Sequence, residues 1–299
     1  MECLTILITG ATSGIGRHAA LYLGAKGHRV IATGRNAAAL AKLREEGGGK
    51  VETVSLDVTD RDSIARAKST VDALTGGRGL DVLVNNAGYG VLGPTALITD
   101  ADMRAQYETN VFGLMAVTRM FLPQMMARGS GRVINVSSVG GRITLPLFGV
   151  YNSTKYAVES LSDGLRMELA PFGVRVSLIE PGYIATNFTE RSMHEVSKYQ
   201  TPDSPYAPVL DRMDELTKAI DKTAVGPRAV TRAIERAATS RSPRARYVAP
   251  GYNVMGIVMM RLFPTSWVDF VMGRLVGLTR KRLVSKLPAV AVPLQLHNG

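Results

Sequence analysis

Six short runs of aliphatic and β-branched residues recur along the first two thirds of the chain, each divided from the next by a stretch of helical periodicity. No other feature narrows the architecture so far. The runs are Leu4 to Ile8, Val30 to Thr33, Val51 to Leu56, Val82 to Val84, Val133 to Val136 and Val174 to Ile179. Helical segments are predicted near 15–26, 36–46, 60–75, 101–128, 151–171 and 227–239, the last followed by a short run at Tyr247 and Val248. Strands so nearly free of polar residues are covered on both faces, and the intervening helices can provide the crossovers between parallel neighbours. The expected fold is therefore α/β, a doubly wound parallel sheet of about seven strands. One domain is expected over residues 1–250, followed by a C-terminal extension, 251–299, that is basic, apolar and helical.

In such a sheet, ligands bind beyond the carboxyl ends of the strands, so the informative residues should follow each run. The first run ends in Thr9-Gly10-Ala11-Thr12-Ser13-Gly14-Ile15-Gly16, a glycine-rich turn leading into a helix. Such a turn lets the backbone approach a pyrophosphate, and the helix N-terminus then offers unpaired N–H groups to the anion. The spacing, Gly-x-x-x-Gly-x-Gly, is not the commoner Gly-x-Gly-x-x-Gly. The second run ends in Thr33-Gly34-Arg35. A carboxylate for an adenosine ribose 2′-hydroxyl is missing at Gly34, whereas Arg35 suits a 2′-phosphate, so NADP(H) is expected over NAD(H). Arg17 and Asn36 are candidate assistants. Asp57-Val58 follows the third run with a polar and then an apolar residue suited to adenine. Asn85-Asn86-Ala87-Gly88 follows the fourth, with amides to fix a loop and small residues to admit a flat ring. Each of these stretches taken alone is also ordinary turn chemistry.

Tyr151 and Lys155 stand four apart at the start of the helix predicted over 151–171, which places them on one face. A tyrosine hydroxyl is a poor acid or base near neutrality, and an ammonium beside it favours the phenolate. Lys155 is expected to lower the Tyr151 pKa in this way.

The ordered set TGATSGIG at 9–16, NNAG at 85–88, Asn110, Ser138, Tyr151-x-x-x-Lys155, and Pro181-Gly182 followed by Thr186 resembles the short-chain dehydrogenase/reductase family, with a Rossmann-type fold. The likeness covers about residues 4–250. NNAGYGVLGP, GSGRVINVSS and ELAPFGVRVSLIEPGYIATNF are similar to its 17β-hydroxysteroid and retinol dehydrogenase branch. The resemblance implies that Tyr151 donates the proton in carbonyl reduction, that Ser138 hydrogen-bonds the substrate oxygen, and that Lys155 also binds the nicotinamide ribose. It implies that Asn110 holds a water relaying protons from Lys155, and that the Pro181-Gly182 turn, Ile184 and Thr186 contact the nicotinamide. Ser137 competes with Ser138 for the serine role, but adjacent residues of an extended run face opposite ways, and the family spacing favours Ser138. Helices 101–128 and 151–171 would form a homodimer or homotetramer surface.

Hydride transfer needs no metal, and the four histidines (18, 28, 194 and 297) show no ligand spacing. The long segment 183–226, with Tyr183, Phe188, Met193, Tyr199 and Tyr206, is expected to be a substrate lid. With Val91, Leu92, Leu145, Leu147 and Phe148 it predicts an apolar pocket, and hence a steroid-like or retinoid-like ketone, aldehyde or secondary alcohol. The leading expectation is NADPH-dependent carbonyl reduction. NADP-dependent oxidation of an apolar alcohol, and non-catalytic use of the fold as a nucleotide-binding or membrane-associated scaffold, are the alternatives. The intact Ser138, Tyr151, Lys155 and Asn110 argue against a scaffold.

Charge bears on partners. The chain carries a formal +11, and residues 241–286 hold nine Lys or Arg against Asp269 alone. No nucleic-acid-binding motif accompanies them, so nucleic acid is not an expected partner. Tyr247 to Met260 is uncharged but too short to cross a bilayer. Trp267, Phe270, Val271, Leu275 and Leu278 recur at helical spacing beside Arg274 and Arg280-Lys281-Arg282. This reads either as an interfacial helix resting on anionic lipid or as a helix packed on the domain or a partner subunit. The single cysteine, Cys3, is expected to be a small buried hydrophobe, which fits a reducing compartment. The strand pattern begins too early to leave room for a leader, so cytoplasmic residence is expected, peripheral at the membrane if the tail binds lipid.

Overall fold

The computed structural model describes residues 3–186, 196, 198–201, 204–213, 215 and 224–283. Seven parallel strands form one sheet in the order β3-β2-β1-β4-β5-β6-β7. They are β1 (Thr5–Ile8), β2 (Arg29–Gly34), β3 (Val51–Ser55), β4 (Val82–Asn85), β5 (Gly131–Val136), β6 (Val174–Pro181) and β7 (Arg246–Ala249). The strand order reverses between β1 and β4, where Ile6 pairs with Val82 and Ile8 with Val84. The crevice for a ligand opens at that switch point.

Two apolar layers cover the sheet. On one face, α1 (Gly14–Ala25) and α8 (Arg228–Thr239) pack Ala19, Ala20, Leu23, Val230 and Ile234 against Ile6, Ile8, Val82 and Val84. On the other, α3 (Arg61–Thr75) and α5 (Leu114–Arg128) pack Ile64, Val71, Val117 and Phe121 against Leu7, Ile31 and Leu83. Alternate residues of β1 thus serve opposite layers, as the two-residue period of a strand requires. The remaining elements are α2 (Ala37–Glu46), α4 (Asp100–Tyr107), α6 (Gly149–Leu169), α7 (Ala207–Leu210), α9 (Asn253–Leu262), α10 (Thr265–Val276) and α11 (Arg280–Leu283).

Four local features depart from expectation. The helix predicted over 101–128 is interrupted: α4 passes into a π-helical turn, Glu108–Gly113, before α5 begins. Such one-turn bulges gather at functional sites, and Asn110 lies inside this one. The helix predicted from 151 opens two residues earlier, at Gly149. Cys3 is exposed, because the sheet begins at Thr5 and leaves it outside the apolar layers. Leu278 does not continue α10: Gly277, at φ +90°, ends the helix in a left-handed cap. The chain then turns back, and Leu278 packs against the domain.

Candidate active site

The glycine turn is shaped by its neighbour across the switch point. Gly10 has φ +65°, and a Cβ there would lie 2.8 Å from Ala87 Cα. At Gly16 a Cβ would overlap Asn86 Nδ2 and Gly10 O. Asn86 Nδ2 donates to Thr9 O (2.9 Å) and Gly10 O (3.1 Å), while Thr9 Oγ1 accepts from the backbone N–H groups of Asn86 (2.9 Å) and Ala87 (3.0 Å). Thr9 and Asn86 thereby lace the first and fourth strand ends together. Ser13 occupies the N-cap of α1 without a capping side-chain bond, so the helix presents its first N–H groups beyond the turn. Thr186 lies over this turn, with its Cβ 3.5 Å from where a Cβ of Gly14 would stand.

At the end of β2, Arg35 is largely exposed, its Nη1 3.7 Å from Asp57 Oδ2. Partial burial pushes the Asp57 carboxyl up, but hydrogen bonds from Thr59 and the nearby Arg35 outweigh it and hold the carboxyl below its ordinary range. Arg17 pairs with Glu46, and the Asn36 side chain caps α2 by accepting from Ala39 N (2.9 Å). Both candidate assistants to Arg35 are thus engaged elsewhere. Val58 is buried in the core beneath this strand end.

Tyr151 and Lys155 lie on the buried face of α6 with Val158, Glu159 and Ser162. Lys155 Nζ donates to Val136 O (3.0 Å) at the end of β5 and stands 5.7 Å from the Tyr151 ring centroid. Ser138, just past β5, accepts from Gly140 N (3.0 Å), and its hydroxyl engages that of Tyr151. Ser137 is buried on the opposite side, toward Glu159. Asn110 Nδ2 donates to Tyr89 O (2.9 Å) and Thr154 Oγ1 (3.1 Å), and its Oδ1 accepts from Tyr89 N (3.1 Å). Gly88 fits between: a Cβ there would lie 3.0 Å from Asn110 Oδ1 and 3.7 Å from Lys155 Nζ.

Burial dominates the electrostatics. It pushes the Tyr151 phenol up to about 12, against the opposing pull of the Ser138 hydrogen bond, and pushes Lys155 down to about 8, against the carboxylate of Glu159. The expected lowering of the Tyr151 pKa by Lys155 is therefore reversed in the protein alone, because desolvating a phenolate costs more than the hydrogen bond returns. Behind Lys155 lies a charged cluster that motif reading missed. Arg246 Nε donates to Glu159 Oε2 (3.0 Å) and lies 3.2 Å from Glu180 Oε1, to which Arg142 Nη1 also donates (3.1 Å). Glu180 is fully buried, immediately before Pro181. Glu159 is pushed up by burial and by Glu180, and pulled back by Ser137 and Arg246.

Of the expected pocket residues, Val91 and Leu147 join Leu92, Val150 and Tyr151 in one apolar cluster, with Phe148 half-buried against it. Leu145 and Tyr183 are half-buried and lie outside that cluster, and Phe188 lies outside the described residues. Sequence reading missed three features here. Leu147 holds a left-handed backbone, φ +68°, a strained conformation for a branched residue immediately before the reactive helix. Val209, Leu210 and Met213 enter the same cluster, as do Val276, Leu278 and Leu283 of the C-terminal segment. Asn253, at the start of α9, occupies the space beside Gly182, and its Nδ2 is buried without a hydrogen-bond partner. Ile184 is buried and bridges to Val225, and Gly182 N donates to Ala249 O (2.9 Å). Among the described residues, no group of three or more His, Cys, Asp or Glu could hold a metal ion.

A dinucleotide fits these residues. The glycine turn leads into the N-terminus of α1, whose first N–H groups are left without a capping side chain at Ser13 and suit a pyrophosphate.

The same pattern is found in known proteins. Residues 4–197 match the family model for short chain dehydrogenase. Over about nine tenths of each chain, the protein is 33% identical to the NADPH-dependent 3-dehydrocapnine reductase of Ornithobacterium rhinotracheale (88% of this chain, 94% of the relative). It is 36% identical to human retinol dehydrogenase 16 (89% and 87%) and 35% identical to human 17-beta-hydroxysteroid dehydrogenase type 6 (90% and 87%). Among solved structures, a short-chain dehydrogenase from Streptomyces avermitilis superposes with a TM-score of 0.73 at 32% identity, covering 93% of this chain and 98% of that one. The closed form of a serine dehydrogenase complexed with NADP+ gives 0.72 at 29% identity, covering 82% and 94%. With a family-model match over most of the sheet and relatives aligned along nearly their whole length, the chain belongs to the short-chain dehydrogenase family of nicotinamide-dependent oxidoreductases.

Proposed function

We propose that the chain is an NADPH-dependent reductase that converts a hydrophobic ketone or aldehyde, of steroid-like or retinoid-like size, to the alcohol. The observation that carries this reading is the hydroxyl pair of Ser138 and Tyr151 at the edge of an apolar cluster, with Lys155 buried behind it. The nicotinamide, when bound, supplies the hydride. A phenol raised to about 12 stays protonated at neutral pH, which suits Tyr151 to donating a proton to the carbonyl oxygen. Ser138 orients that oxygen and stabilises the charge that develops on it. Lys155, still mostly charged at neutral pH, stabilises the phenolate left on Tyr151 and binds the ribose hydroxyls. The Asn110 side chain is committed to Tyr89 and Thr154, so the backbone of the π-helical turn, rather than the amide, would hold the relaying water.

Residues holding the nucleotide would be Gly10, Thr12, Ser13, Gly14, Ile15 and Gly16 at the pyrophosphate, Arg35 at the 2′-phosphate, and Asp57 and Val58 at the adenine. Asn86, Ala87, Gly88, Tyr151, Lys155, Pro181, Gly182, Ile184 and Thr186 would line the rest. The relatives support this preference: a 3-dehydrocapnine reductase is named as NADPH-dependent and a serine dehydrogenase carries NADP+. We assign residues 1–250 to one catalytic domain with 183–226 as its lid, and 251–299 to an extension. The compartment we propose is the cytoplasm. Phe112, Tyr156, Leu161 and Met167 are exposed on the π-helical turn and α6, which supports a homodimer or homotetramer through those elements. NADPH consumption with a panel of apolar ketones and aldehydes tests the reading. Turnover of small hydrophilic carbonyls alone would count against it.

A further inference from the structure

Eleven of the sixteen large apolar side chains exposed on the described surface lie between Tyr252 and Leu275. Helix α9 is covered only along Asn253, Ile257 and Met260, and α10 only along Val268, Met272, Gly273 and Val276, one narrow stripe on each. Their open sides carry Met255, Leu262, Phe263, Trp267, Phe270 and Leu275. Phe263 stacks on Trp267, with ring centroids 6.2 Å apart and planes 9° from parallel, and the Arg274 guanidinium lies 4.4 Å from the Phe270 ring centroid. Arg261 and Arg274 are exposed on these two helices and Arg280, Lys281 and Arg282 are exposed on α11 just beyond them, with Asp269 the one acid between 251 and 283. On the inner side, Val276, Leu278 and Leu283 pack into the cluster that holds Tyr151, Val91 and Leu147.

We propose that the outer face of α9 and α10 docks on an anionic lipid bilayer and, on the reading of an apolar carbonyl substrate given above, that the substrate enters the Tyr151 cluster from that bilayer. Two properties choose the occupant. An apolar face bordered by one sign of charge matches a surface that is apolar within and anionic at its headgroups. A second copy of this chain would bring the same basic residues against their own kind. No helix of the described residues is long and apolar enough to cross a membrane, so the contact lies in the plane of the interface. The segment is then both a membrane contact and part of the packing around the Tyr151 cluster, which gives an apolar substrate a path that avoids water.

Trp267 is the chain's single tryptophan and sits on the docking face, 65% exposed, so its fluorescence reports directly on the contact. Full-length protein is mixed with vesicles of phosphatidylglycerol and phosphatidylcholine, or of phosphatidylcholine alone, and followed by flotation and by Trp267 emission. The expected result is flotation and a blue shift with the anionic vesicles, weakened by salt. Each cation at the surface is worth about fivefold in partitioning. The triple change Arg280→Glu, Lys281→Glu, Arg282→Glu should therefore weaken binding on the order of a hundredfold or more. Leu262→Asp with Phe270→Asp should abolish the emission shift while leaving turnover of a water-soluble ketone unchanged. Absence of flotation and of any shift overturns the proposal, as does equal binding to phosphatidylcholine alone that charge reversal leaves intact. A shift that grows with protein concentration in the absence of lipid assigns the face to a second copy instead. Turnover without flotation sinks the docking alone, whereas flotation without turnover of any carbonyl sinks the catalytic reading alone.

Discussion

Lys155 Nζ stands 5.7 Å from the centroid of the Tyr151 ring, and burial moves the two groups in opposite directions, the lysine down to about 8 and the tyrosine up to about 12. The lysine is therefore the first of the pair to change charge as pH rises. Carbonyl reduction, which needs the ammonium, is expected to fall through about pH 8, while Tyr151 keeps its proton across the same range. The pH profile of kcat/KM checks this directly. Lys155→Arg, whose charge persists, should lose that limb even if its rate is low, and a limb that survives the substitution would belong to another group.

The same shift bears on stability. A lysine that sheds its proton earlier when folded than its ordinary 10.5 leaves the unfolded chain with more bound protons between about 8 and 10.5. This group's contribution to stability thus rises with pH across that window and is most unfavourable below it. Lys155→Met should raise the melting temperature at neutral pH while abolishing turnover, as expected of a buried charge kept for function. A lower melting temperature would mean that the bond to Val136 O outweighs the desolvation.

Glu159 follows Lys155 by one helical turn and raises its pKa, while Arg246 holds that carboxylate against the burial that would neutralise it. Glu159→Gln should move the alkaline limb of the rate profile to lower pH. Asp163→Asn, which removes another Arg246 partner (2.6 Å), should leave the limb in place. Thermal melts distinguish a folding defect from this effect, and an unmoved limb in a folded Glu159→Gln protein would contradict the assignment.

Arg35 is exposed and only loosely paired with Asp57, so its loss should cost the fold little. Its proposed role is toward a 2′-phosphate. Arg35→Ala should raise the KM for NADPH by about ten- to a hundredfold, the scale of a charge-assisted hydrogen bond, and leave that for NADH nearly unchanged. Equal effects on the two nucleotides would remove the argument for NADP(H).

Gly10→Ala should destabilise the chain and weaken nucleotide binding together, because the new Cβ meets Ala87 Cα in a backbone with positive φ. A loss of about 1–3 kcal/mol is expected for the fold, readable by denaturant titration.

The strands were legible because Ile6 to Ile8 or Val82 to Val84 can satisfy their surroundings only when covered on both faces, and the site residues because each follows such a run. The π-helical turn at Asn110 was not, since one added residue barely disturbs a hydrophobic pattern of helical spacing. The direction of the Tyr151 shift escaped for a different reason: spacing shows that Lys155 is near but not how little water reaches either group. Arg142, Glu159, Glu180 and Arg246 come from four separate segments, and only the folded sheet edge brings them together. The return of Leu278 onto the Tyr151 cluster depends on the left-handed Gly277, which periodicity alone reads past.

In the mechanism proposed, Tyr151 delivers the proton. Single-turnover reduction of an apolar ketone by NADPH, followed at the nicotinamide absorbance, compares wild type with Tyr151→Phe, which keeps the ring and its packing and removes only the hydroxyl. A loss of about a hundredfold or more in the chemical step is expected, with NADPH affinity retained. A Tyr151→Phe protein that reduces the ketone at the wild-type rate would contradict it.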